Sequence, residues 1–152
     1  MAGRVAFLRD VGFLWLTLPS GRRLAYPTPA KENREVPWSD KRLPVKEREH
    51  KDMLTVLAFE QGHAHRPSFY PGILFQHSVQ AIARDLLAHG MNNVEAAGYP
   101  VVMSIHDEVI CEVSHVKHSS VGQFTRLLCD KPKWAEGIPL LAEGWIGHRY
   151  RK

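Results

Sequence analysis

Tyr99-Pro100-Val101-Val102-Met103-Ser104-Ile105-His106-Asp107-Glu108-Val109-Ile110-Cys111-Glu112-Val113 reads as strand, tight turn, strand. Val101, Met103 and Ile105 alternate with Val102, Ser104 and His106, and Val109, Cys111 and Val113 repeat the alternation beyond the turn. A period of two lets a strand turn one wholly apolar face toward a core. Tight hairpin turns prefer Asn-Gly or a similar pair that tolerates positive φ. Here the apex carries the adjacent carboxylates Asp107 and Glu108 after His106, with no glycine to ease the bend. Like charges held together repel unless a cation or a donor offsets them. Two carboxylates on a rigid hairpin suit an oxygen-seeking divalent ion such as Mg²⁺. Aspartate is also common in turns for its local backbone bonds, so the tripeptide by itself does not decide between a site and a turn.

Immediately upstream lies the longest expected element, a helix from about Ile73 to Ala97. Val79, Ile82, Ala83, Leu86, Leu87, Met91 and Val94 recur at helical spacing and form one apolar stripe. Gln76, Gln80 and Arg84, spaced by four, set a polar row along the same helix. Such a row is either a plain solvent face or a set of donors for base edges and sugars in a groove. Gly98-Tyr99-Pro100 supplies the stop, after which the chain passes directly into the hairpin.

Further upstream, residues 4–26 read as a small β-meander. Val5–Leu8, Phe13–Leu18 and Arg22–Tyr26 are the strands, and Arg9–Gly12 and Pro19-Ser20-Gly21 are the turns. Arg22 and Arg23 form a basic pair that either meets phosphate or is a solvated strand end. Residues 31–52 carry seven basic and six acidic side chains with two prolines, a composition expected of a solvated, at best partly ordered connection. Met53–Phe59 is an expected strand and Gly62–Pro67 an expected loop. The loop's His63-Ala64-His65 lacks the further Cys or His that zinc-site spacing needs.

Downstream of the hairpin, Val116 to Cys129 is expected to be a second helix capped by Ser114, with Val121, Phe124, Leu127 and Leu128 on its buried side. Ile138–Ala142 is an expected edge strand. The chain closes on His148-Arg149-Tyr150-Arg151-Lys152, basic with one aromatic.

At 152 residues the chain fits one domain or part of a larger one, and 44% hydrophobic residues can furnish a core. A net charge of +4 suits a polyanionic partner without requiring one. Two cysteines are too few for a disulfide scaffold and fit a reducing compartment. No apolar run approaches the ~20 residues of a membrane span, and Arg4, Arg9 and Asp10 break the N-terminal apolar segments that a signal peptide needs. The expectation is a soluble chain of the cytoplasm.

The order of these motifs resembles the C-terminal part of an A-family DNA polymerase of the kind phages encode. Leu16–Tyr26 resembles the family's Leu-Pro-Ser-Gly-Arg strand pair. Tyr70–Leu87 resembles its long palm helix and the approach to it. Ile105-His106-Asp107-Glu108-Val109 matches its last catalytic motif, and Glu143–Lys152 resembles the usual chain end of the phage subgroup. The resemblance implies an α+β fold, a partial polymerase palm whose antiparallel sheet includes the His-Asp-Glu hairpin packed against the long helix. Asp107 would ligate catalytic Mg²⁺ in a two-ion site, with Glu108 as auxiliary carboxylate and His106 near the primer's 3′ end. Gln80, Gln76, His77, Arg84 and Arg22 would contact DNA. The implied partners are primer–template DNA and deoxynucleoside triphosphates, in the cytoplasm of a phage-infected or bacterial cell.

Pro71 and Ile73 stand where the family has glycine and lysine in Tyr-Gly-Gly-Lys-Leu, and Gln76 and His77 replace its Glu-Asn. The family's other metal-binding aspartate strand, its fingers helix and an exonuclease have no counterpart in the sequence. Residues 1–152 therefore read as the C-terminal part of a palm, with a separate polypeptide expected to supply the remainder. The alternatives are a non-catalytic remnant that binds primer–template or a protein partner, and a structural α+β fragment.

Overall fold

The computed structural model describes residues 4–114 and 120–150. The fold is α+β, with antiparallel sheets and one long helix. It divides into two compact units, Val5–Val79 and the described residues from Gln80 onward.

In the first unit, β1 (Ala6–Asp10), β2 (Phe13–Thr17) and β3 (Arg23–Pro27) form the expected meander in the order β1-β2-β3. Val11 and Gly12 have φ of 37° and 77°, the pair of positive values that a type I′ hairpin turn requires. Gly21, at φ 88°, closes the second turn, where the Leu18 and Gly21 N–H groups donate to Arg22 and Leu18 carbonyls. One face of β2 and β3 carries Leu16 and Tyr26, both buried, and Leu18 just beyond β2 is buried with them. Each such leucine contributes about 1.5–3 kcal/mol by leaving water.

Residues 31–52 depart from the sequence expectation. β4 (Ala30–Glu35) and β5 (His50–Thr55) pair in register from Ala30↔Thr55 to Glu35↔His50, and β8 (Ser68–Phe69) joins the other edge of β5. The charges find partners across the ladder, along the strand and in the connecting segment, although Arg34 and Lys51 stand opposite each other. Lys31 bridges Asp52 at 2.8 Å, Asn33 donates to Asp52, and Lys41 and Arg48 both meet Glu35. Arg66 ties the sheet to the preceding loop, donating to Glu32, to the Thr28 carbonyl and to Thr55. Val36, Met53 and Thr55 are buried. Balanced charge, read from composition as a solvated connection, is here a paired strand region whose charges meet across the ladder at Lys31–Asp52 and otherwise close to home.

The expected strand over Met53–Phe59 breaks after Thr55, and β6 (Ala58–Glu60) turns back into β7 (His63–His65) through Gln61 and Gly62. The expected Gly62–Pro67 loop is therefore a hairpin arm, because Gln61 and Gly62 adopt φ of 50° and 82° and close another tight turn.

The long helix, α1 (Pro71–Ala96), matches its expected range. Pro71 suits the first helical position, where no N–H bond is lost. At the other end Gly98 has φ 85°, its N–H donates to Glu95 O and the Tyr99 N–H reaches back to Val94 O. This is a Schellman stop, with Val94 and Tyr99 both buried as its apolar contact. The buried positions of α1 are Ser78, Ala81, Leu86, Gly90 and Val94. Val79 and Ala83, expected in the apolar stripe, face outward instead. At Gly90 the Leu128 backbone comes too close for a side chain.

In the second unit, β9 (Val101–Ile105) and β10 (Glu108–Cys111) form a two-stranded ribbon. The register shifts between Ile110 and Cys111, so that Cys111 faces Val101 and Val102 is the extra residue of a bulge. Val101 and Ile105 are half-buried, but Met103 is exposed, so the apolar face expected of the first strand is not buried along its length. α2 (Val121–Leu128) is capped by Ser120, whose hydroxyl accepts from the Gln123 N–H, and not by Ser114. The expected first turn over residues 116–119 lies outside the described residues. Phe124 packs edge-on against Tyr99 at 5.4 Å, while Tyr99 donates to the Gln123 side chain. Ile138–Ala142 is not a strand: Pro139 removes a ladder donor, and Leu141 is almost fully exposed.

Candidate active site on the carboxylate hairpin

His106 and Asp107 form the two-residue turn of the ribbon, and Glu108 opens β10 opposite Ile105. His106 has φ 53°, while Asp107 keeps a negative value. Positive φ at the first turn position alone is what a type II′ turn needs, a place that glycine usually takes. Histidine is among the non-glycine residues that take positive φ more often, at some cost in strain. His106 and Asp107 are exposed at the tip, and Glu108 is half-buried. The apex thus lies one residue earlier than the sequence suggests, and Glu108 is a strand residue whose carboxylate stands beside the turn.

Glu108 has a partner that the sequence did not point to. The Tyr150 hydroxyl donates to Glu108 Oε2 at 2.8 Å, across 42 residues of chain. That bond, with the carboxylate's charge, raises the Tyr150 phenol above its ordinary value. The only signal in the sequence was a lone aromatic in a basic terminal segment. A second anchor holds the base of the ribbon, where Glu95 Oε2 accepts from the Val101 N–H at 2.6 Å. The Cys111 thiol is pushed up by burial and by the Glu95 carboxylate, which makes it a poor nucleophile.

The candidate DNA contacts separate between the two units. Gln80 and Arg84 are exposed, one helical turn apart, on the part of α1 that shares a unit with the hairpin. Gln76, His77 and Arg22 belong to the other unit. Gln76 is exposed one turn before Gln80, and Arg22 is exposed in the turn between β2 and β3. His77 is engaged in packing: its ring stacks on Tyr26 at 5.9 Å and meets the Phe69 edge at 5.4 Å, with Nδ1 3.1 Å from the Tyr26 hydroxyl.

Asp107 and Glu108 together fall short of the roughly six oxygens that Mg²⁺ takes. Among the described residues, no group of three or more His, Cys, Asp and Glu side chains converges to hold a metal. The residues present therefore do not compose a magnesium site by themselves. Among the described residues, no helix is long and apolar enough to cross a membrane.

No protein-family model matches the chain. No solved structure matches it either. Among curated proteins, it is 36% identical over 149 residues to the DNA polymerase of Bacillus phage SP02. That match spans 97% of this chain but 21% of the relative. The resemblance to a phage-type DNA polymerase thus holds along nearly the whole chain, over a stretch that amounts to about a fifth of that enzyme.

Proposed function

We propose that this chain is the C-terminal catalytic segment of a template-directed DNA polymerase, incomplete alone and completed by a separate polypeptide carrying the remaining palm and the fingers. One observation carries the reading: the polymerase resemblance extends over nearly the whole chain, and within it the His106-Asp107-Glu108 tripeptide stands at a hairpin tip. Asp107 is the carboxylate offered to a two-ion Mg²⁺ site, and Glu108 is its auxiliary. Since the chain's own ligands are too few, no catalytic step is assigned to it in isolation. Its own residues present and position groups. The turn holds Asp107 outward, Tyr150 steadies Glu108, and the exposed Gln80 and Arg84 offer amide and guanidinium donors to the grooves and phosphates of primer–template, with Gln76 of the other unit a further amide donor. Arg22 is a further phosphate contact, and deoxynucleoside triphosphates are the second substrate.

A second reading, a non-catalytic remnant that binds primer–template or a partner, draws on the occupation of Glu108 by Tyr150. Primer extension separates the two. The chain alone is expected to incorporate no nucleotide at any Mg²⁺ concentration, and the chain with the remaining polymerase portion is expected to extend. Extension by the highly purified chain alone would overturn the fragment reading. Binding of primer–template without extension in the assembled system would leave the remnant reading.

A further inference from the structure

We propose that the cleft between β5 and the start of α1 binds single-stranded DNA, taking one unpaired base against Trp38 and its phosphate on Lys51 and Arg34. The cleft lies wholly within the first unit and holds about 310 Å³, at the small end of the roughly 300–1,000 Å³ of small-ligand pockets. Its walls are mostly apolar, with Trp38, Met53, Phe69, Tyr70 and Leu74 among them. Trp38 is 58% exposed, yet its backbone is pinned. The Ser39 N–H donates to the Val36 carbonyl at 3.0 Å, and the buried Ser39 hydroxyl accepts from the Glu49 N–H at 3.1 Å. The indole stands edge-to-face with Tyr70, the ring centroids 5.9 Å apart. A flat ring held this way offers a stacking face at little further ordering cost, and every base has a face to match.

The charges beside the indole favour an anion. Arg34 and Lys51 are opposed on the β4–β5 ladder, so they share the face that carries Met53. Lys51 Nζ lies 5.7 Å from the Trp38 ring centroid. Lys51 meets Glu49 at 2.8 Å, Arg34 meets one oxygen of Glu32, and Arg66 takes the other at 3.0 Å. Three cations thus share two carboxylates, and like charges directly opposite repel unless an anion comes between them. Asp52, also at the cleft, is held by Lys31 at 2.8 Å. A phosphodiester brings the single negative charge that this face lacks, whereas a nucleoside triphosphate brings several. A duplex keeps its bases stacked inside, so the strand that fits is single.

Fluorescence anisotropy of labelled oligo-dT with the 152-residue chain at low salt tests the proposal. Binding is expected, and unlabelled oligo-dT should compete while thymidine monophosphate at equal nucleotide concentration should not. Trp38→Ala should weaken binding about tenfold with far-UV circular dichroism unchanged, and Trp38→Phe, which keeps a stacking face, should recover most of the loss. Lys51→Gln should lower the slope of log affinity against log salt by about 0.7. A chain that binds no oligo-dT, or a Trp38→Ala variant that binds like the parent, would overturn the proposal. So would a Trp38→Phe variant no better than Trp38→Ala, or thymidine monophosphate competing as well as the strand. Binding lost in Arg84→Ala but kept in Trp38→Ala would also overturn it, assigning the strand to the α1 row. None of these outcomes depends on primer extension, so the polymerase reading stands or falls separately.

Discussion

Gly90→Ala tests the packing of α1 against α2, because two known effects of that substitution oppose each other here. Glycine inside a helix is about 1 kcal/mol less favourable than alanine, so on propensity alone the variant should gain stability. In the structure a β-carbon at Gly90 would press on the carbonyl oxygen of Leu128, 3.2 Å from its carbonyl carbon and 3.0 Å from its Cδ1. The obstacle is backbone, so no rotamer change relieves it, and the end of α2 must retreat. Retreat strains the Asn93 bond to Leu127 O at 3.4 Å and the Tyr99–Phe124 edge contact. Overpacking of this kind typically costs about 1–3 kcal/mol, and against a rigid backbone the upper part of that range applies. The net expectation is a loss of about 1–2 kcal/mol. For a chain of this size each kcal/mol moves Tm by roughly 2–4 °C. Gly122→Ala in α2 is the internal control: its β-carbon meets only Ser120 Oγ, at 3.8 Å, so it should gain a few tenths of a kcal/mol by propensity. Thermal and urea unfolding of both variants decide the point. A Gly90→Ala variant as stable as the parent, or stabilised alongside Gly122→Ala, would refute the close approach of the two helices.

Val11 is 86% exposed at φ 37°, so Val11→Asn loses little burial, creates the Asn-Gly turn that the geometry asks for and should add about 1 kcal/mol in urea unfolding. Tyrosinate absorbance should show Tyr150 ionising above its ordinary pH, and Glu108→Gln should bring it back down while Tyr26, raised by burial, stays put. Because the folded-state value of Tyr150 is the higher one, its contact with Glu108 supports the fold below about pH 10 and is lost as pH rises through that raised value. In the β4–β5 region, Lys31 holds down Asp52, Lys41 holds down Glu35 and Arg34 holds down Glu32. Their contribution is present above the usual carboxylate range and is lost as pH falls through the depressed values. Acid unfolding followed by circular dichroism should therefore be advanced by salt, which screens these exposed pairs.

The parts of the fold legible in the sequence were those with strong local punctuation. Val11-Gly12, Pro19-Ser20-Gly21 and Gly98-Tyr99-Pro100 mark turns and a helix end through backbone requirements that few residues satisfy. The β4–β5 pair was not legible, because its stabilising partners lie across a register that composition does not contain: Lys31 meets Asp52 only once Asn33 faces Asp52. The seam of α1 misled for a related reason. Hydropathy favours Val79 and Ala83, whereas the buried positions are Ser78, Ala81 and Gly90, the last set by close approach of the Leu128 backbone. The hairpin and its tripeptide were visible as motif and alternation. Its exposure was not, since alternation tells which side chains share a face but not whether anything covers that face. Tyr150 could not be found from sequence either, because a contact over 42 residues leaves no local pattern.

The central claim is that Asp107 is a catalytic carboxylate of an assembled polymerase, and its sharpest test is single-turnover primer extension by Asp107→Asn. Asp107 sits exposed in a turn, so the substitution should leave the chain's Tm within about 1–2 °C of the parent. It keeps the side chain's shape but removes a hard anionic ligand. With the remaining polymerase portion present, extension should fall by about two to four orders of magnitude while primer–template affinity changes little. Extension by Asp107→Asn within a few-fold of the parent assembly would contradict the claim and remove the hairpin from the catalytic site.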